Sequence, residues 1–316
     1  MLISAKTIMK GLFTKYISKL FIQQWIVGLT RDSIDSIIRN KNFNPDINWI
    51  QEKSIDKFYA DPFLFKTKKG NYHVLFEEYS YTDTYGKISV MEVNENLEPL
   101  AHEVLLDTNS HLSYPFIYSE NNKIYVFPES AESGKLSCYE YDPVKKCLNF
   151  LKEIIELPLL DSTILRYNNK YWLFATLKGK DEDRKLGIYF SDTLLGPYSP
   201  HPKNPVTTGL EGSRPAGNFI VVDDEIYRPA QNSKYTYGGG ITIHKVIQLD
   251  ELNYIEERYM PVNLNKKNPN NAGMHAIHTI NSINDIIVVD GTKWRFSPAT
   301  KLKQFAIKYN FKRQKS

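Results

Sequence analysis

A chain of 316 residues with 41% apolar and 13% aromatic side chains can bury one large core or two small ones, which excludes the disordered and fibrous classes. Its net charge of +4 hides an asymmetry. Residues 1–20 carry Lys6, Lys10, Lys15 and Lys19 with no acid, residues 293–316 carry eight Lys or Arg with none, and the body between is acidic.

In chain order, the first element is a basic segment over residues 1–23. Leu12, Phe13, Tyr16, Ile17, Leu20 and Phe21 recur at helical spacing, with Lys10, Lys15 and Lys19 elsewhere around the helix. Lysine interrupts it too often for a bilayer span, and no small-residue cleavage site follows as in a secretory signal. It reads either as a helix docked on the body or as a surface helix on anionic lipid, helped by residues 296–316, a basic C-terminal tail. The expected location is cytoplasmic, with a peripheral position at the inner membrane face as the further option.

Residues 24–295 then repeat one pattern five times: an opening residue, an apolar strand, a short polar turn and a second strand ending on a polar residue. The copies are "ADPFLFKTKKGNYHVLFEE", "SYPFIYSENNKIYVFPES", "LDSTILRYNNKYWLFAT", "SRPAGNFIVVDDEIYRPAQ" and "MHAIHTINSINDIIVVDG". Their opening residues, Asp61, Tyr114, Asp161, Arg214 and His275, fall about fifty residues apart, and hairpins at that period predict a radial array of small sheets. Further strands follow as "KISVMEV" from Lys87, "KLSCYEY" from Lys135, "KLGIYFS" from Lys185 and "GITIHKV" from Gly240. The expected fold is all-β, a five-bladed β-propeller with a short N-terminal helical segment, closed by "QWIVGL" (Gln24 to Leu29) pairing with the last blade. A β-sandwich or a two-domain β protein is the alternative. Cys138 and Cys147 flank a turn but make no disulfide framework in so long a chain, which favours a reducing compartment.

In a propeller the first strand of every blade lines the axis, so residues far apart in sequence meet at one mouth. The mouth is expected to hold Asp61, Tyr114, Asp161, Arg214 with Glu211 nearby, and His275. Hairpin pairing adds Glu77 or Glu78, Glu129 and Gln231 from the second-strand ends. Carboxylates around a funnel suit the making or breaking of a glycosidic bond: one ionised to activate an incoming oxygen, one protonated to release the leaving oxygen, a third holding the first two apart in pKa. Arg214 and Arg228, each before a proline, are either structural braces or forked clamps for phosphate or carboxylate. His275 and His278 of "HAIH" face opposite sides of a strand, so one axial histidine touching substrate or an ion is expected rather than a two-histidine metal site. A divalent cation at the axis stays open. The run "DEDR" (Asp181 to Arg184) reads as a solvated hairpin and "YGGG" as a strand-opening turn. Walker, dinucleotide, zinc-cysteine and nucleophile-elbow motifs are absent, and no nucleic-acid partner is expected.

The motifs "ADPF", "LLDS" and "LEGSRPAG", in that order, resemble the base, modulator and acid of five-bladed glycosidases related to glycoside hydrolase family 43. The resemblance implies Asp61 as general base, Asp161 as modulator and Glu211 as general acid. The strings "HLSYPF", "FPES", "GPYSPHPKNPV", "RPAG", "YRPAQN", "YGGGITI" and "HTIN" followed by "VVDG" are similar to the propeller module at the N-terminus of plant glucosamine inositolphosphorylceramide transferases and their bacterial relatives, over roughly residues 24–292. That similarity implies a carbohydrate-active fold, and the expected activity is glycosyl transfer in surface-glycan or glycolipid assembly. Glu78, Tyr114, Glu129, Arg214, Arg228, Gln231, His275 and His278 are the expected contacts to a saccharide, nucleotide-sugar or lipid-linked substrate. A glycoside hydrolase using the same three carboxylates and a non-catalytic glycan-binding propeller are the rival readings.

Overall fold

A computed structural model describes residues 20–51, 54–67, 70–180 and 184–314. Residues 1–19 of the expected first helix and Asp181 to Asp183 of the "DEDR" run lie outside the described residues, whereas Phe21 to Gln23 at the end of that segment are not helical but open the strand that pairs with the last blade. The chain starts with β1 (Phe21–Arg31), α1 (Ile34–Asn40) and β2 (Asn48–Trp49). Four sheets follow in sequence. The first is β3 (Lys57–Lys66), β4 (Tyr72–Ser80), β5 (Tyr85–Val93) and β6 (Pro99–Leu106). The second is β7 (Ser113–Glu120), β8 (Lys123–Glu129), β9 (Leu136–Asp142) and β10 (Cys147–Ile155). In the third, β11 (Leu159–Tyr167), β12 (Lys170–Leu177) and β13 (Lys185–Ser191) are edged by β14 (Ser199–Pro200) and β15 (Thr207–Thr208). In the fourth, β16 (Glu211–Pro215) and β17 (Ile220–Val222) share the inner place against β18 (Glu225–Asn232), with β19 (Ile241–Leu249) and β20 (Tyr254–Val262) outside.

The fifth sheet closes the ring. It takes β21 (Ile280–Ile283) and β22 (Ile286–Phe296) from the end of the propeller and β1 and β2 from its start. β1 runs antiparallel to β22 from Phe21 opposite Phe296 to Arg31 opposite Ile286, so "QWIVGL" pairs with the last blade as its sequence suggested. Burial falls from axis to rim: β11 is buried over seven consecutive residues, whereas the outer strands β6 and β10 are mostly exposed. This is the gradient of a five-bladed propeller.

Hydrophobic seams between neighbouring blades hold the ring. Phe63, Phe116, Phe127 and Leu173 join the first three blades; Phe174, Ile188 and Val246 join the third to the fourth. Ile243 and Val289 join the fourth to the fifth, and Phe76 and Val288 join the fifth to the first. Complete burial of such a side chain contributes about 1.5–3 kcal/mol. Cys138 stands opposite Lys152 and Cys147 opposite Asp142, and both thiols are free.

Two helices differ from the sequence reading. α1 was not foreseen; Ser33 caps it by accepting from the Ser36 amide at 3.1 Å, and Ile34, Ile37 and Ile38 are buried. The stretch expected as a basic tail forms α2 (Pro298–Gln314). Pro298 suits the first helical position, and the Lys301 amide donates to the Ser297 carbonyl at 3.1 Å. Among the described residues no helix is long and apolar enough to cross a membrane.

Candidate functional site

Three inner strands break their ladders at the same point of the repeat. Register shifts fall between Ala60 and Phe63, between Ser113 and Phe116, and between Leu160 and Thr163. The residue inside each bulge is left-handed: Asp61 at φ 51°, Tyr114 at φ 41° and Asp161 at φ 51°. A non-glycine residue in that region costs about 1–3 kcal/mol, and such strain gathers where a side chain must be aimed. The bulge therefore lifts the opening residue out of the pleat, and the following proline, in "ADPF" and "SYPF", needs no ladder hydrogen bond.

A pocket of about 420 Å³ lies against these bulges. Its polar lining includes Asp61, Glu77, Glu129, Arg214, His278, His111, Ser113 and Lys301, and its aromatic lining includes Trp25, Phe58, Tyr79, Tyr81, Tyr237 and Trp294. Asp290 organises one side. Its Oδ2 accepts from the Asp61 amide at 2.9 Å, and its Oδ1 accepts from the amides of His278 and Thr279 at 3.0 Å each. His278 bridges two carboxylates, with Nδ1 at 2.6 Å from Asp290 Oδ2, in ion-pair contact but off-line for a hydrogen bond, and Nε2 at 3.5 Å from Asp61 Oδ1. Its ring stacks on Trp25 at 3.9 Å between centroids. Thr279 Oγ1 donates to Asp61 Oδ1 at 2.7 Å.

Asp161 organises the other side. It takes the Arg214 Nε–H, accepts from Gln231 Nε2 at 3.1 Å, and sends its own amide to Glu129 Oε2 at 3.1 Å. Arg214 also lies 3.8 Å from Glu129 Oε2, and its guanidinium sits over the Tyr237 ring at 5.4 Å. His111 Nδ1 accepts from the Gly86 amide at 3.0 Å, so the ring proton of the neutral imidazole is on Nε2, 3.8 Å from Glu77 Oε1.

Among the described residues of this cluster, the five carboxyl groups of Asp61, Glu77, Glu129, Asp161 and Asp290 meet two cations, Arg214 and His278. Burial disfavours each charge, and the surplus acids cannot all ionise together. Burial, aided by Asp161 and Asp290 and opposed by His278, pushes Asp61 up to about 6. Glu77 and Glu129 are pushed well above the usual carboxyl range by burial first and then by their acidic neighbours. Burial would lower His278, but Asp290 and Asp61 outweigh it and hold the imidazole up at about 9. The site thus sets carboxyls of different proton affinity around one cavity.

Asp61, Glu129, Arg214 and His278 come together at the pocket, with Asp161 and Gln231 directly behind Arg214. The other expected residues are placed differently. Glu211 opens β16 with a third of its side chain exposed, bonded to Asn232 at 3.2 Å and paired with Lys234 at 3.4 Å. Those partners hold its pKa below the ordinary value, the reverse of what a general acid needs. Glu78 faces away from Glu77, where His102 at 2.7 Å, Lys57 and Ser89 surround it; although burial opposes them, they bring its carboxyl down to about 2. Arg228 is sealed inside the fourth blade, its guanidinium committed to Glu256 at 2.7 and 2.9 Å and to the Gly212 carbonyl at 2.6 Å. Tyr114 is fully buried, its hydroxyl 2.8 Å from Thr163 Oγ1 and accepting from the Gly217 amide at 2.7 Å, so it ties three blades together. His275 is exposed, and its amide donates to the Thr292 carbonyl. None of these five side chains lines the pocket.

Sequence reasoning left Asp290, Thr279, His111 and Trp25 unassigned. A signal for Asp290 existed: in "IIVVDG" it ends the second strand of the fifth copy, the place that Glu77, Glu129 and Gln231 hold in theirs. Asp61, His278 and Asp290 also offer ligand atoms within 4.8 Å of one another, a spacing that admits a divalent cation. Both His278 nitrogens face carboxylates, so such an ion would have to displace the imidazolium proton.

The family described as Glucosamine inositolphosphorylceramide transferase 1, N-terminal, matches residues 48–292. Glucosamine inositolphosphorylceramide transferase 1 of Oryza sativa subsp. japonica is 32% identical over 215 residues, which cover 66% of this chain and 28% of the relative. That of Arabidopsis thaliana is 33% identical over 207 residues, covering 63% and 27%. The chain therefore spans under a third of the length of the curated relatives it matches. Among solved structures, a family 117 glycoside hydrolase of the marine bacterium Zobellia galactanivorans superimposes with a TM-score of 0.54 over 88% of this chain and 92% of that one, at 13% identity, a likeness of fold.

Proposed function

The chain belongs to the family of the N-terminal part of glucosamine inositolphosphorylceramide transferase 1, and from that premise we propose that its mouth binds a saccharide and transfers a glycosyl group to a hydroxyl. The observation that carries the proposal is the unequal proton affinity of the pocket carboxyls. Asp61, at about 6, is mainly ionised at neutral pH and takes the acceptor proton. Glu77, pushed far above the usual range by burial and its acidic neighbours, keeps its proton and gives it to the departing oxygen. His278, which draws Asp61 down, and Glu129, which pushes Glu77 up, keep these two apart in proton affinity, while Asp161 and Arg214 form the fixed wall beside them. Trp25, Tyr237 and Trp294 offer ring faces to the sugar. The acid surplus repels a diphosphate from the axis, so the phosphate of a nucleotide-sugar or lipid-linked substrate stays at the rim, where Lys301 lines the pocket. A divalent cation held by Asp61, His278 and Asp290 would supply at the axis the positive charge that protonated His278 supplies alone.

The test compares nucleotide-sugar and lipid-linked donors plus acceptor with aryl glycosides, using the unaltered chain and Asp61→Asn. Transfer abolished by Asp61→Asn supports the proposal. Turnover of aryl glycosides alone would replace transfer by hydrolysis with the same groups, and saccharide binding with no turnover of either class would reduce the mouth to a lectin-like site.

A further inference from the structure

β1 and β22 pair along their whole length and end at Phe21 opposite Phe296. Residues 1–31 and 291–316 contain no Asp or Glu, and their described parts, β1 and the end of β22 with α2, meet at one corner of the fifth blade. The Ser297 amide fixes that meeting by donating to the Leu20 carbonyl at 2.9 Å. The corner adjoins the pocket, which Ile22, Gln23, Trp294 and Lys301 help to line.

Large apolar side chains stand in solvent there: Trp294 is 50% exposed, Phe296 57% and Leu302 67%, whereas Trp25, Trp49 and Trp172 are all buried. Alternation along β22 puts Trp294 and Phe296 on one face and Lys293 and Arg295 on the other. α2 continues with Lys301, Lys303, Lys308, Lys312 and Arg313 and no acid in its sequence. Asp56, on the segment before β3, meets the helix by accepting from Thr300 at 2.9 Å and pairing with Lys303 at 3.5 Å.

Indole and phenyl rings next to Lys301 and Lys303, on a corner whose helix carries no acid, match the headgroup layer of an anionic bilayer, where rings sit at the water interface and cations answer lipid charge. A soluble polyanion would satisfy the charge but leave the rings in water. A second copy of this corner would bring like charge against like. We infer that this corner docks on an anionic membrane surface and holds the Trp294 and Lys301 side of the pocket against the headgroups. The inference does not depend on which reaction the pocket performs.

Cosedimentation of the full chain with phosphatidylcholine vesicles, with and without about 30% phosphatidylglycerol, tests it. The expected result is binding at least about tenfold stronger to the anionic vesicles, weakened by about 0.5 M salt. Phe296→Ser with Leu302→Ser, both at exposed positions, lowers that binding at least about tenfold, with circular dichroism reading the fold of the variant because Phe296 also meets Phe21 edge-on. Lys303→Glu, at a side chain 54% exposed, lowers it independently. Failure to bind anionic vesicles at low salt overturns the inference. So does unchanged binding by the Phe296/Leu302 variant, which would assign the corner to charge alone, as for a soluble polyanion. Self-association in the absence of lipid that the same variant abolishes would assign it to a second copy and overturn it too.

Discussion

Replacing His278 by glutamine removes the cation that bridges Asp61 and Asp290 while keeping a polar side chain of similar reach. The imidazole stands at about 9 in the folded chain against an ordinary 6.5, because the attraction of the two carboxylates exceeds the penalty of burial. A histidine raised in this way stabilises the fold fully below pH 6.5, and the contribution disappears as pH climbs through about 9. At about pH 7 that amounts to roughly 2–3 kcal/mol, and at about pH 9.5 almost none of it is left. In a chain of 316 residues the first figure corresponds to a melting temperature lower by about 4 °C. Urea unfolding of both forms at the two pH values reads the difference, and titrating groups remote from His278, common to both chains, cancel to first order; Asp61, which His278 draws down, rises in the variant and is read separately by repeating the pair in an Asp61→Asn background. A stability gap that stays constant, or widens, between about pH 7 and 9.5 would refute the account of His278 as a charge-bearing bridge.

Asp61→Asn should abolish turnover by about three orders of magnitude yet leave urea stability at about pH 8 unchanged or improved. A carboxyl raised to about 6 weakens the fold as pH rises from its ordinary 3.8 through that value, and asparagine tolerates the left-handed backbone at this position. Glu211→Gln should change turnover less than about twofold, because that carboxylate lies outside the pocket and is already neutralised by Lys234; a loss comparable to that of Asp61→Asn would return it to the reaction. Arg228→Met should cost about 3–5 kcal/mol in urea unfolding, since Glu256, drawn down to about 2 by Arg228 against the opposing effect of burial, would be left buried without its partner. Saccharide affinity of that variant, measured by calorimetry below its unfolding transition, should stay that of the parent chain.

The ring was legible because hairpins repeat at a nearly constant period and because polar residues mark the same place in each copy. The faces of individual residues were not. Glu77 and Glu78 are neighbours on β4, and which one turns to the axis depends on the bulge between Ala60 and Phe63; one residue of slip exchanges them. Arg214 and Arg228 share the context "RP", but Pro215 pairs with Ala230 and Arg228 with His244, which sends one guanidinium to the mouth and the other toward Glu256 on β20. The partner that decides the fate of Arg228 stands in an outer strand with only two buried residues, where sequence gives no reason to look for it. Glu211 follows the family motif in sequence, yet a register shift separates it from Pro215, and its side chain pairs locally before it can reach the axis.

Two buried ionic groups in this fold make opposite use of the same chemistry, and the contrast is what separates site from brace. In the fourth blade, Arg228 and Tyr254 both donate to Glu256, the Glu256 carboxyl is held down at about 2, and none of the three lines the pocket. Removing charge there should damage the fold. At the axis, five carboxyls face two cations among the described residues, Asp61 is raised to about 6 and Glu77 and Glu129 well above the usual carboxyl range, and the backbone is strained at Asp61 and Asp161. Neutralising one acid there should relieve the fold rather than harm it. A chain has no structural reason to assemble acids that destabilise one another beside a cavity lined with aromatic rings; a reaction that needs one carboxyl with its proton and one without supplies that reason.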